Sequence, residues 1–263
     1  MRDKVRLGGM ALPNGVLVHG PTSWACAIRH DDGTLEVASA HKRFRADEST
    51  PPLLRGPLKL AEALAVLPAL RRRLPRARLA FERPQVLAGL VAGTVGVRVV
   101  RGSRRLGPAT QELLATLFAF APAVAALRNS ELAGYHGAEH VSIGSYEHGE
   151  PRAKEHERCG SHLVGPVLLT SAVGNALAAK VPLHMRGAAR FAAAFGSLAL
   201  STELFAWMVR HPEHPVARAL AKPGHELQHR VGTAEPSADQ LEVAEAALAA
   251  CLQLEERGGT DSV

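Results

Sequence analysis

HLVGPVLLTSAVGNALAAKV, residues 162–181, carries Lys180 as its only formal charge, and its reading decides what kind of fold this chain has. Twenty residues at 1.5 Å each make a rod of about 30 Å, the thickness of a bilayer's hydrocarbon core. Three further Ala-rich runs share its character: QVLAGLVAGTVGVRVV at 85–100, ELLATLFAFAPAVAAL at 112–127 and FAAAFGSLALSTELFAWMV at 191–209. The first two are short for a span, and Ala and Gly contribute little transfer energy. The four runs therefore read either as transmembrane helices or as buried helices of a soluble bundle. Arg98, Arg101, Arg104 and Arg105 stand in the turn of the first helical pair, opposite a basic N-terminal region, which runs against the positive-inside rule.

Outward from these runs the pattern changes. GVLVHG at 15–20, SWACAIRH at 23–30 and TLEVASA at 34–40 read as strands, with Asp31, Asp32 and Gly33 as a hairpin turn. RADESTPPLLRGP (45–57) is a polar, proline-marked linker, and LKLAEALAVLPALRRRL after it has helical periodicity interrupted by Pro68. At the other end, SADQLEVAEAALAACLQLEE (237–256) is an amphipathic helix opened by a Ser cap, followed by RGGTDSV, expected without regular structure. The expected fold is mainly α with a small N-terminal β region and an Ala-rich helical body open to membrane embedding. Its segments are a β-rich region at 1–50, a linker and amphipathic helix at 51–84, the helical body at 85–222 and a helical tail at 223–263.

The formal net charge is +6 and the isoelectric point about 9.6, but the arginines are dispersed and only 4% of residues are aromatic. Stacking on single-stranded nucleic acid is therefore not expected, and membrane lipids are the expected partner. Cys26, Cys159 and Cys251 are odd in number and far apart, which points to free thiols in a reducing compartment rather than a disulfide framework. MRDKVRLGGM lacks the apolar core of a signal peptide, so membrane attachment is expected from internal segments.

The chemistry concentrates in YHGAEHVSIGSYEHGE, 135–150. His136 and His140 stand at i and i+4 on one helical face and Glu139 is beside the second, the H-x-x-E-H order of inverted zincins. Two imidazoles make half a site. Glu203, a lone carboxylate in an apolar helix, is the expected third ligand, because such a group needs a partner. Glu139 would then activate water as general base. Cys159, in HERCGSH between His156 and His162, is a further candidate ligand or redox group. A competing motif is HELQH at 225–229, with His225 and His229 as ligands and Glu226 as base; Pro223, Gly224 and Gly232 leave it barely two turns of helix.

YHGAEH at 135–140, YE at 146–147, RCGS at 158–161, TEL at 202–204, PGHELQ at 223–228 and EPSADQLEVAEAAL at 235–248 occur in an order that resembles the bacterial membrane family called domain of unknown function 1385. GGMALPNGVLVHGP and RGPLKLAEAL resemble its opening motifs. The resemblance implies a multi-pass membrane protein and a metal-dependent enzyme without an assigned reaction, with His136, Glu139, His140, Glu147, Cys159 and Glu203 at its site. It also implies that HELQH is a local substitution, since the family has an apolar stretch there.

Two functions are expected to compete, beside a third reading as a transporter-like or channel-like body with polar residues buried among short helices. One is a metal-dependent, membrane-associated hydrolase of inverted-zincin type using a divalent metal, zinc by donor type, in a bacterial cell membrane with the N-terminal region cytoplasmic. The other is a non-catalytic membrane-associated scaffold with a structural polar or metal cluster; a soluble cytoplasmic bundle is the corresponding alternative for location. An open coordination position separates catalytic from structural metal.

Overall fold

The computed structural model describes residues 4–46, 50–103, 105–127 and 130–260. Residues 47–49 of the linker, Arg104 of the arginine group and the last three residues of RGGTDSV lie outside the described residues.

Four strands, β1 (Gly8–Leu12), β2 (Gly15–His19), β3 (Ser23–Arg29) and β4 (Leu35–His41), form an antiparallel meander in chain order. The last three fall where the sequence pattern predicts strands; β1 is additional, because its GGMAL carries two glycines and no alternation. Gly33, at φ +85°, closes the β3–β4 hairpin in the left-handed region that a glycine enters without steric cost. Val16, Val18, Ala25 and Ala27 face one core, shared with Tyr135, Ala138, Val243 and Ala247. Leu17, Trp24, Cys26 and Ile28 face another, with Leu70 and Leu74. Burial on both faces is why β2 and β3 read as unbroken apolar runs.

The helical stretch after the linker divides at Val66 into α1 (Arg55–Ala65) and α2 (Leu67–Arg73). Pro68 sits in the first turn of α2, where its missing N–H costs nothing. There follow α3 (Pro84–Gly102), α4 (Pro108–Leu127), α5 (Glu131–His148), α6 (Val164–Ala179), α7 (Arg186–Arg210), α8 (Pro215–Leu227) and α9 (Ala238–Thr260), with a π turn at Gln228–Gly232 between the last two. The tail differs from expectation: α9 continues through Thr260.

α3 packs on α4 and α6 on α7, as two helical hairpins. Among the described residues four segments are long and apolar enough to cross a membrane: Pro84–Gly102, Thr110–Leu127, Gly160–Ala179 and Leu183–Arg210. Leu87, Val91, Val95, Leu117, Leu177 and Phe191 on them are each more than half exposed. Between the helices the contacts are small or polar. Pro122 has no N–H to offer the Phe118 carbonyl, and α3 meets that oxygen with Gly93, where a Cβ would stand 2.6 Å away. Glu112 of α4 accepts from Arg101 of α3 at 2.9 Å and from Asn175 of α6 at 2.8 Å. Thr170 of α6 bonds Ser197 and Ser201 of α7 at 2.7 and 2.8 Å. Arg101 is thus paired with Glu112 where α3 meets α4.

α9 buries Val243, Ala244, Ala247 and Cys251, a helical stripe, against β2, β3 and α5. Its far end is fixed by Glu255, which accepts from Thr22 N at 2.9 Å, Thr22 Oγ1 at 2.8 Å and both Ser23 N and Ser23 Oγ at 2.7 Å. Burial alone would raise this carboxyl; the hydrogen bonds from Ser23 and Thr22 outweigh it and hold the group below its ordinary value. A depressed carboxyl stabilises the fold above its unfolded pKa, and that contribution is lost as pH falls through the folded pKa. Glu255→Ala should lower stability by on the order of 2 kcal/mol at neutral pH, since donors are left unmet. Thermal melting of the two proteins should converge as the pH is taken below the ordinary carboxylate range.

Candidate metal centre

α5 is ended by Gly149 at φ +77° and is buried along most of its length. His136 and His140 leave the same face, with ring centroids 4.3 Å apart. His136 Nδ1 lies 2.7 Å from the Gly232 carbonyl oxygen and His140 Nδ1 lies 2.6 Å from that of Lys154. A carbonyl only accepts, so each Nδ1 carries a proton and donates it, and Nε2 is the nitrogen each ring turns toward the group. Burial, with His136 adding to it, pushes His140 down to about 3, so its ring is neutral.

Cys159 arrives from the chain between α5 and α6, at the head of a short 3₁₀ turn, Gly160–Leu163. Its Sγ stands 3.5 Å from His136 Nε2, and the ligand atoms of His136, His140 and Cys159 all lie within 4.8 Å of one another. Burial pushes the thiol up, against the pull of the Ser161 N–H. Glu139 flanks the group, Oε2 3.7 Å from His140 Nε2 and 3.9 Å from His136 Nε2. With His140 neutral, its contact with Glu139 is not an ion pair. Burial pushes the Glu139 carboxyl up to about 7, with His136 opposing, so protonated and ionised forms coexist at neutral pH. The donor set fits a divalent transition metal: two neutral imidazole nitrogens, a sulfur that ionises on binding, and a carboxyl within reach of the same space.

Two features frame the group. β1 crosses Glu139 at Gly9, where a Cβ would stand 2.2 Å from Glu139 Oε1, so only glycine leaves that carboxyl its place. Gln228, fully buried in the π turn, accepts from His156 N at 2.9 Å and donates to Ser161 Oγ at 2.6 Å, with the His156 carbonyl oxygen at 3.2 Å and His162 Nδ1 at 3.1 Å. It clamps the segment that carries Cys159. Glu147 contributes from the last turn of α5, pairing with Arg158 and lying 3.2 Å from His156 Nε2.

Other expected site residues lie elsewhere. Glu203 is not brought to the histidines: its oxygens take Arg55 Nε and a second Arg55 nitrogen at 3.0 Å each and Leu53 N at 3.1 Å. The partner that an apolar-helix carboxylate needs is an arginine roughly 150 residues earlier, which no local pattern reveals. In HELQH, the π turn begins at Gln228 and breaks the helix that the motif requires. Glu226 pairs with Arg230 at 2.9 Å, His229 with Glu155 at 3.0 Å, and the His225 and His229 rings are 6.3 Å apart. Gly9 and Gln228 were not singled out by sequence reasoning as site residues. Gln228 sits inside the HELQH stretch whose histidines drew attention instead.

Gly9→Ala should displace the Glu139 carboxyl while leaving the two imidazole anchors in place. Titration of Glu139 by carboxylate NMR or infrared difference spectroscopy should show its pKa returning toward the ordinary range. In chelator-treated protein, a carboxyl raised from 4.5 to about 7 binds more protons folded than unfolded between those values, so its contribution to stability falls as pH rises through them. Glu139→Gln should therefore melt higher than the parent at pH near 7.5 and show a smaller advantage near pH 4.5; an equal difference at both would count against a buried ionising carboxyl.

No curated protein and no solved structure matches this chain. Residues 114–254, which include every residue of the group and its Gln228 clamp, match the model of the family described as protein of unknown function (DUF1385). The match covers more than half of the sequence, and the chain belongs to that family.

Proposed function

We propose that this chain is a membrane-embedded, metal-dependent enzyme of hydrolase type, in which His136, His140 and Cys159 hold a divalent ion, zinc by donor chemistry, and Glu139 serves as general base. The observation that carries this reading is the pair of Nδ1–H bonds to the Gly232 and Lys154 carbonyls, which turn the Nε2 atoms of both histidines toward one thiol. Three protein ligands leave a fourth position of a tetrahedral ion open, as catalytic sites require. A metal bound there would supply Lewis-acid polarisation of an oxygen. The chain's own contribution is to fix the imidazole tautomers, keep Cys159 in register through Gln228, and hold a carboxyl poised near neutrality to accept and return a proton at Glu139. Glu147 acts one step away by ordering Arg158 and His156, and Glu203 serves the packing of α1 on α7.

The membrane half of this reading is supported by the four apolar segments and their exposed apolar faces. α3 and α4, at 19 and 20 residues, each reach about 30 Å, one hydrocarbon thickness. The first hairpin starts and finishes beside α5, where Val86 and Ala126 pack with Leu132, and α6 follows directly on the turn headed by Cys159, so in this reading the metal centre stands at one membrane face. The intact protein should stay in the membrane pellet through a high-pH wash; release into the supernatant would make these helices the core of a soluble bundle.

Metal analysis by mass spectrometry separates ligand from base. His136→Ala and Cys159→Ala should lose the metal. Glu139→Gln should keep it, while hydrolysis across a panel of ester and amide amphiphiles falls by about a hundredfold or more. Stoichiometric metal in the parent with no hydrolysis, and metal loss in Glu139→Gln, would instead make this a closed structural cluster in a scaffold.

A further inference from the structure

α1 has no buried residue although it belongs to a folded chain. Its leucines face outward: Leu54 and Leu58 are 45% and 36% exposed, Leu60 and Leu64 47% each. At 100° per residue these four, with Ala61 and Ala65, occupy an arc of about 160°, and Arg55, Lys59 and Glu62 gather on the other side. Just before the helix, Leu53 is held at φ +74°, an uncommon conformation for leucine, with its N–H on Glu203 and its side chain 44% exposed. A soluble protein gains nothing from displaying five leucines in one place.

The placement of α1 says what covers them. It crosses α7 at Thr202 and Glu203: Gly56 packs so closely that a Cβ would stand 2.0 Å from Thr202 Oγ1, and Arg55 pairs with Glu203. That level is seven residues from the end of α7 at Arg210, about 10 Å at 1.5 Å per residue. α7 has 25 residues, about 37 Å, so it overhangs a hydrocarbon core of about 30 Å, and the crossing point falls near the boundary between acyl chains and headgroups. Amphipathic helices that lie in a membrane surface sit at that depth.

Behind α1, against β4 and α2, is a cleft of about 410 Å³ rimmed by His41, Arg43, Arg72 and Arg73. Lys42 at its wall is matched by Glu62 at 2.5 Å. Among the described residues Arg43, Arg72, Arg73 and Lys59 have no carboxylate partner. Arg72 and Arg73 each give one N–H to a backbone carbonyl, of Pro68 and Ser39, so among the described residues the charge of this group is not neutralised.

We infer that α1 and the cleft behind it form a docking surface for the anionic lipid headgroups of the bilayer that the hairpins cross, with the leucine arc in the upper acyl layer and the arginine rim on lipid phosphates. This inference rests on the membrane reading above. Each unmatched cation adds to attraction for an anionic leaflet, and the leucines supply the apolar burial that a charge contact lacks.

The test uses the full chain in lipid nanodiscs of phosphatidylcholine alone or of phosphatidylcholine mixed with phosphatidylglycerol. Leu64→Trp reports on α1, Leu60→Trp is a second probe on the same arc should the first fail to fold, and Val95→Trp reports on α3. Fluorescence is read as the difference from the parent protein. Lipids brominated near the glycerol should quench the indole introduced at position 64 severalfold more than lipids brominated at the chain tip, and more strongly in the anionic mixture. Reversing Arg43, Arg72 and Arg73 to Glu together should erase the difference between the two lipid mixtures. Quenching of the indole at position 95 without quenching at position 64 or 60 would overturn the docking surface and leave the membrane reading standing. Quenching at position 64 that ignores lipid charge would overturn the headgroup assignment. No quenching at any position, with release at high pH, would remove the membrane reading and this inference with it.

Discussion

Neighbouring segments press on α5 from three directions, and the centre depends on how little room that leaves. A Cβ on Gly137 would stand 2.1 Å from the Ala234 carbonyl oxygen, one on Gly134 would stand 2.4 Å from the Gln240 side-chain oxygen Oε1, and Gly9 of β1 lies over Glu139. The contact at Gly137 is locked by the Ala234 N–H, which donates to Ala133 O at 2.9 Å. Because the chain at 232–234 is drawn against α5, the Gly232 carbonyl reaches His136. The ring orientation of the histidine is therefore set by backbone packing, and the nitrogen turned toward Cys159 follows from it.

Electrostatically the centre is built from groups that burial keeps neutral. His140 is driven far below the usual imidazole range, the Cys159 thiol is raised, and Glu139 is brought to the edge of ionisation. A bound cation reverses the balance for the thiol and the carboxyl, since it rewards their ionised forms. The helical body arranges its polar groups differently: Glu112 accepts from Arg101 and Asn175 across three helices, while Arg101 Nε finds no partner among the described residues, and the hydroxyls of Thr170, Ser197 and Ser201 bond across two. These polar groups meet at the helix contacts, small side chains letting the helices approach.

Much of this was legible in the residues because it is local. The i, i+4 histidine pair, the Asp-Asp-Gly hairpin, the long apolar helices and the stripe on α9 are each encoded within a few turns of chain. Cys159 could be suspected from the histidines around it, but its meeting with His136 is a tertiary fact. What stayed hidden depends on pairing across distance. Arg55 neutralises Glu203, so the carboxylate that looked stranded was already matched. Gln228 looks like an ordinary polar residue until its burial and its bonds to His156 and Ser161 are seen. Gly9 lies in a strand with no alternation to announce it, and its role appears only when α5 is laid across it.

The long reach of the His136 anchor has a consequence for synthesis. Its carbonyl partner, Gly232, lies 96 residues further along the chain. A ribosome adds about 5–20 residues per second, so roughly 5–20 s separate the appearance of the histidine from that of the group that fixes its tautomer. The second hairpin is made during that interval. The first imidazole thus emerges without its orienting bond, and the donor set matures only after the chain has returned from α7 through the π turn. Any ion this group held would have to be taken up after the fold is complete, late in the life of the nascent chain.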